Sequence, residues 1–424
     1  MERPLSTRQV ADRLGVKPET VYAYVSRGLL TSSRSPDGRG SVFSAKQVDN
    51  LARRQRGRRP APGGSGSGAG EAVRTAVTLI EADRYFYRGV DALTLAERHT
   101  YEEVADWLWT GVLTPETRFA APLRSVAAAR DAVAALPSGS GLLDVLRVAT
   151  VAASVADPLR FDLTDDTVTA TARSLIATLV AALPVPDGGP RRDGEPVRGS
   201  GVVPGDDAGV AASLWSRLAS APPDPDVLRC LDAALVLLID HDLAASTLAA
   251  RVAASARANP YAVVSTALGA LEGPLHGAAS GLAHKMLTEA LERGSAAEVV
   301  AEHLREGRRI PGLGHRLYPR EDPRAELLLE MLAQWPAAEP AVRMARDVAA
   351  TAAAHAPLYP NIDLALGVLS VSAGMPSDAG EGIFAVARTV GWIAHALEEY
   401  QERPLRMRPS GQYVGPRPPQ PLPG

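Results

Sequence analysis

Alanine- and leucine-rich segments recur at 3.6-residue spacing from Leu142 to Val180 and again from Asp206 onward, each closed by Pro, Gly or Asp. Apolar residues at that period line one face of a helix, and such a face must be buried against another element. Runs of Val, Ile and Thr bounded by hairpin turns, the mark of strands, are almost absent. The predicted fold class of the body is therefore all-α. Tyr101, Val104 and Leu108 stand at core spacing on one such helix. Residues 187–207 are too polar and too rich in Gly and Pro to pack, and a mobile excursion is expected there.

Charge divides the chain. Residues 1–60 carry a net charge of +8 and the remainder −11. A Gly/Ser/Pro/Arg stretch, Arg56–Ala72, reads as a flexible linker between the two. In the head, Ser6 and Gln9 form a capping-box pattern, and Val10 and Leu14 give a short helix its apolar spacing. Gly15 ends it, and Pro18 suits the first turn of a second helix with Val21 and Val25 inward and Thr20, Tyr22 and Arg27 near the other side. A small hairpin wing turning at residues 36–40 follows. This pattern resembles the MerR-type or excisionase-type winged helix-turn-helix family, which implies DNA as a partner. In that family's geometry the second helix enters a major groove. Thr20 and Tyr22 lie on that helix, and Arg27, Arg34, Arg39 and Lys46 would contact phosphates, supplying affinity rather than sequence choice. A protein-binding or dimer-bridging appendage is the bland alternative.

Composition narrows the rest. Cys230 is the one cysteine, which excludes an internal disulfide framework and fits a reducing, cytoplasmic setting. No apolar run approaches the ~18 residues of a membrane span. Neither HExxH nor CxxC occurs, and the histidines come from distant segments, so no metal site is expected.

The least helical stretch of the body, residues 310–324, reads IPGLGHRLYPREDPR. Gly312 and Gly314 permit backbone geometry that other residues resist. His315 has the side chain that titrates nearest neutrality, and Arg324 can grip a carboxylate through two parallel hydrogen bonds. Around it, in order, stand YRG, DHDLAAST, GPLHG, then YPNID, RTVGWIAH and RPSGQYVG.

Each of these motifs is weak alone; their order resembles the citrate synthase family from about residue 74 to the end. The resemblance implies a large helical domain over 73–275, a smaller mobile helical domain over 276–377, and a return to the large domain over 378–424. Residues 1–58 and 59–72 would be the winged head and its linker. It further implies condensation of acetyl-CoA with oxaloacetate and water to citrate and CoA, with no permanently bound cofactor.

Roles follow residue by residue from the resemblance. Asp363 would be the base, with the dipole at its helix start expected to keep it ionised. His276, expected to begin a helix over 276–293, would donate to the enolate oxygen, and the helix N-terminus would keep it neutral. His315 would donate to the oxaloacetate ketone. His241, expected within an apolar helix, would position the substrate. Arg324, Arg388 and Arg408 match carboxylate-binding arginines; the last reaches a neighbouring subunit in the family, implying a homodimer. Gly312, Leu313 and Gly314 would help hold CoA, with Arg316 and Arg320 as candidates for its phosphates. His284, His303, His355 and His395 read as ordinary core or surface residues.

The chain departs from the family at Ala244, at HGAAS over 276–280, and at Leu364, Ala365 and Leu366. These changes spare every ionisable role but leave substrate choice open, because one methylene discriminates by only about 1–3 kcal/mol. Propionyl-CoA, giving 2-methylcitrate, is one alternative. A DNA-binding regulator using the body as a metabolite sensor is another.

Overall fold

The computed structural model describes residues 5–14, 21, 32–34, 41–44 and 48, then 73–81, 84–186, 209–273, 276–277, 279–318, 320–408, 413–418 and 420. The chain separates into two compact units, Met1–Ala72 and Val73–Gly424.

In the first unit, β1 (Leu5–Ser6) leads into α1 (Thr7–Leu14). The expected capping box is formed: Ser6 N–H donates to Gln9 Oε1 at 2.9 Å, and Gln9 N–H to Ser6 Oγ at 3.4 Å. β2 (Ser32–Arg34) pairs antiparallel with β3 (Ser41–Phe43), Ser32 opposite Phe43, and β1 lies on the other edge of β3. Val10, Ala11, Val21, Phe43 and Val48 are buried together. These strands fall where the wing was expected, with Arg34 at the end of β2. The turn between them, the second helix apart from Val21, Thr20, Tyr22, Arg27, Arg39 and Lys46, the linker, and residues 187–207 lie outside the described residues.

The second unit opens with a sheet that the helical periodicity did not predict. β4 (Thr78–Glu81), β5 (Arg84–Tyr87) and β6 (Val90–Asp91) form an antiparallel meander in that order. Arg84 is exposed while Tyr85 and Tyr87 are fully buried, the alternation of a one-sided strand. At the turn, Arg88 and Gly89 both have positive φ, 47° and 82°, which suits a tight two-residue hairpin. Four residues are too short a run for periodicity alone to reveal.

Helices account for most of the rest. The first group is α2 (Ala92–Arg98), α3 (Tyr101–Thr110), α4 (Leu123–Ala134), α5 (Leu142–Ala156) and α6 (Asp165–Ala182). Next come α7 (Gly209–Leu218), α8 (Pro225–Leu238), α9 (Ala245–Ser255), α10 (Pro260–Leu271), α11 (Ala279–Arg293) and α12 (Ala296–Arg305). The last are α13 (Pro323–Leu332), α14 (Glu339–Ala353), α15 (Ile362–Ser372) and α16 (Ala379–Tyr400). One start signal recurs: Asp224-Pro225, Asn259-Pro260 and Asp322-Pro323 each place a capping side chain before a proline whose missing N–H costs nothing. Tyr101, Val104 and Leu108 are fully buried, as their spacing predicts.

α16 is buried on every side from Ala385 to Ala396, with α5, α6, α8, α9 and α10 packed around it. One buried cluster runs from Val77 to Tyr400 and continues across residues 275–276 and 377–378. α11 packs along α15, and α13 against both α15 and the end of α8. Those contacts bring three loops to one place.

Candidate active site

The first loop follows α8. His241 lies in the turn beyond the helix C-terminus, not within an apolar helix as expected, because α8 ends at Leu238. It is 7% exposed, and its Nε2 is 2.8 Å from Tyr318 Oη. Burial first, then Arg324, His315 and Arg388, hold its pKa well below the usual histidine range, so the ring is neutral. The floor beneath is β5: Tyr85 Oη donates to Leu237 O at 3.2 Å and Tyr87 Oη to Val236 O at 2.9 Å. From α16, the buried Arg388 donates through Nε to Leu238 O at 2.8 Å. Its guanidinium lies over the Phe384 ring and forms no ion pair with a carboxylate among the described residues. Burial lowers its pKa to about 10, so the charge remains at neutral pH.

The second loop is 310–322. Gly314 N–H donates to Tyr359 O at 2.7 Å, and Asn361 N–H to Gly312 O at 2.9 Å, with Leu313 bridged to Pro360. Asn361 Nδ2 adds a bond to Gly314 O at 2.8 Å, while its Oδ1 caps α15. These glycines therefore direct much of their hydrogen bonding to residues 359–361. Gly312 has φ +76°, and a Cβ there would stand 2.7 Å from Leu364 Cβ.

This ladder fixes His315 relative to Asp363. Leu317 N–H donates to His315 Nδ1 at 3.1 Å, and Arg324 Nη2 stands 3.4 Å from Nε2, so donors face both ring nitrogens. Burial and Arg324 lower the His315 pKa to about 4. Its ring contacts His241 (centroids 5.1 Å) and Tyr318 (4.9 Å).

Arg324 is 2% exposed, and its fork already grips a carboxylate. Nε and Nη2 donate to Asp322 Oδ1 and Oδ2 at 2.9 and 2.8 Å, and Asp322 Oδ2 also accepts from Ile362 N–H at 3.2 Å. The free edge is Nη1, which makes no hydrogen bond among the described residues.

Asp363 stands in the first turn of α15, as predicted, but its protonation does not follow the helix dipole. Burial raises its pKa to about 6, against a lowering by Arg324. No described residue donates a hydrogen bond to its carboxylate, so nothing but Arg324 offsets the desolvation. It is still roughly nine-tenths ionised at pH 7.

The third loop carries His276. The expected helix over 276–293 begins instead at Ala279, and His276 lies in the turn before it. Its low pKa, about 4, has burial as its largest cause and Arg388 as the next, rather than a helix N-terminus. His276 Nε2 is 2.8 Å from Ser246 Oγ, which also accepts from Trp392 Nε1 at 3.3 Å. Phe384 meets the His276 ring edge-on, centroids 6.0 Å apart, and links it to Arg388.

His241, His315, Arg324 and Asp363 thus converge, and Arg388 and His276 are joined to them through α16. Arg316 and Arg320 are exposed beside the loop. Arg408 is exposed beyond α16 and bonds only through its backbone, to Leu405 O, among the described residues. Sequence reasoning did not assign Tyr85, Tyr318, Asp322, Ser246, Asn361 or Phe384. Asp322 and Asn361 carried a signal as helix caps; the others are brought in only by folding. His284 bonds Ser370 across α11 and α15, and His303 bonds Val299 O within α12, both as structural residues. Among the described residues, no group of three or more His, Cys, Asp or Glu side chains is arranged to hold a metal ion.

The family described as citrate synthase, C-terminal domain, matches residues 68–410. The chain belongs to the citrate synthase family. Residues 5–56 match the MerR HTH family of regulatory proteins. Two relatives frame the citrate synthase part. Citrate synthase 2 of Bacillus subtilis is 34% identical over 51% of this chain, a span covering only 58% of that protein. 2-Methylcitrate synthase 1 of Corynebacterium glutamicum is 30% identical over 80% of this chain and 91% of its own length. The crystal structure of citrate synthase from Thermotoga maritima superposes with a TM-score of 0.64 at 29% identity, over 83% of this chain and 95% of that one. No helix among the described residues is long and apolar enough to cross a membrane.

Proposed function

We propose that the chain condenses acetyl-CoA with oxaloacetate and water to give citrate and CoA. The observation that carries this reading is the pairing of an unbonded, half-buried Asp363 carboxylate, titrating near 6, with neutral imidazoles at His276 and His315. A weakly acidic methyl needs a base ionised at neutral pH, and two oxygens gaining charge need hydrogen-bond donors placed at them.

In this reading Asp363 takes a proton from the thioester methyl while the ring of His276 donates a hydrogen bond to the forming enolate oxygen. The enol carbon attacks the ketone of oxaloacetate, whose oxygen receives the ring proton of His315. Water then cleaves the thioester, releasing CoA as a thiol. Arg388 and the Nη1 edge of Arg324 hold the carboxylates, and His241, oriented by Tyr318, positions the substrate. Gly312, Leu313 and Gly314, with Arg316 and Arg320 at the surface, hold CoA. Residues 276–377 form the smaller domain that closes over the substrate. Arg408 completes the site of a second subunit in a homodimer, in keeping with its exposure in a single chain.

Mixing purified protein with acetyl-CoA, oxaloacetate and a thiol reagent should show free CoA; no release from any short acyl-CoA would sink the proposal. Propionyl-CoA, giving 2-methylcitrate, is the second reading, favoured by the likeness to the Corynebacterium protein over most of both chains. A turnover comparison of the two thioesters decides between them.

A further inference from the structure

Three residues on one face of α16, at i, i+3 and i+7, meet the turn after α8. Arg388 Nε donates to Leu238 O at 2.8 Å. Gly391 lies so close that a Cβ there would stand 2.2 Å from Ile239 O and 3.0 Å from Asp240 Oδ1. His395 Nε2 is 3.2 Å from Asp240 Oδ2. Asp240 is therefore flanked by a guanidinium and an imidazole from the same helix, all three 0–1% exposed, and it bonds to the imidazole. Its Oδ2 also accepts from Thr78 Oγ1 at 2.6 Å, while the buried Oδ1 has no partner among the described residues.

The imidazole is oriented from behind. Arg251, on α9, places Nη1 2.8 Å from His395 Nδ1. A guanidinium only donates, so Nδ1 accepts and the ring proton sits on Nε2, facing Asp240. Arg251 is held in turn by Glu398 at 2.6 Å and Glu399 at 3.1 Å, and Glu399 also binds Arg406 at 2.7 Å.

A carboxylate with unused lone pairs beside a desolvated guanidinium is drawn to close on it, and such a pair is strong at low dielectric. Closure would occupy the edge of Arg388 that is left for a ligand. We infer that His395, oriented by Arg251, is a positioning residue that holds Asp240 away from Arg388 and so keeps Arg388 open to a dicarboxylate substrate. The inference rests on the reading of Arg388 as a substrate-binding arginine. His395 touches no reacting atom and acts through Asp240.

The test measures oxaloacetate binding by calorimetry and steady-state kinetics on the full chain. In His395→Asn, the shorter amide can accept from Arg251 but cannot reach Asp240. Kd and KM for oxaloacetate should rise about tenfold, the scale of a lost charge contact, with kcat within about twofold. His395→Gln carries an amide N–H to the position of Nε2 and should stay close to wild type. Adding Asp240→Asn to His395→Asn removes the competing charge and should restore most of the affinity. Equal affinity in the Asn and Gln variants, loss of kcat alone, or a double variant no better than the single one would overturn the inference. If His395→Asn does not fold, Asp240→Asn alone decides. Affinity at or above wild type supports the inference, and lowered affinity marks Asp240 as merely structural. Wild-type protein that binds no dicarboxylate would overturn the functional reading itself, and this inference with it.

Discussion

At Asp363 two effects oppose each other: the first turn of a helix favours a carboxylate, and burial without a hydrogen-bond donor disfavours it. Burial wins, and the group titrates near 6. In its proposed role only the ionised form accepts a proton, so kcat/KM should climb with pH through an apparent pKa near 6. His276 and His315, both near 4, stay neutral from pH 5 to 8 and add no limb there. A profile flat across that range would place the base elsewhere. Asp363→Asn should lose activity by at least about 10²- to 10⁴-fold. Stability should move the other way. A folded-state pKa raised above the unfolded value contributes stability at low pH that is lost as pH rises through 6, so the Asn variant should melt no lower than wild type at pH 8. Thermal melts at pH 5 and pH 8 check this.

Among the elements, the ladder between residues 312–314 and 359–361 and the Asp322 cap tie the His315 loop to the start of α15. Asp322 neutralises the buried Arg324, caps α13 and accepts Ile362 N–H at the start of α15. Asp322→Ala leaves a desolvated guanidinium without its counter-charge and should cost about 3–5 kcal/mol, read by denaturant unfolding. Gly312→Ala combines a left-handed backbone with a Cβ 2.7 Å from Leu364, the neighbour of Asp363. Backbone strain of this kind costs about 1–3 kcal/mol. Activity should fall with stability, because relief of the contact displaces α15; full activity in this variant would mean the loop and α15 are not rigidly linked.

For the whole molecule, the division at residue 72 separates two cores, one around Val10 and Phe43 and one running from Val77 to Tyr400. Each buries its own apolar residues, so a protein starting at Val73 should release CoA as fast as the full chain. If the head binds DNA through its basic residues, a gel shift should require residues 1–72 and weaken steeply with salt. Loss of CoA release on removal of the head would show that the two units are functionally coupled.

Apolar spacing at 3.6 residues and Asx-Pro starts were enough to predict a helical body, because they depend only on near neighbours. Seven ordered motifs were enough to place it in the citrate synthase family. The short β4–β6 sheet was not legible, since four alternating residues are no signal until Tyr85 and Tyr87 find the end of α8. Residue identity likewise left protonation undecided. His276 and His315 are held neutral by burial first, with Arg388 acting on the one and Arg324 on the other, and Asp363 is raised against its own helix dipole. His395 read as an ordinary core histidine because its meaning depends on Asp240, 155 residues away. Local pattern decides which helices form; desolvation and long-range charge, which exist only once the chain is packed, decide what state their side chains are in.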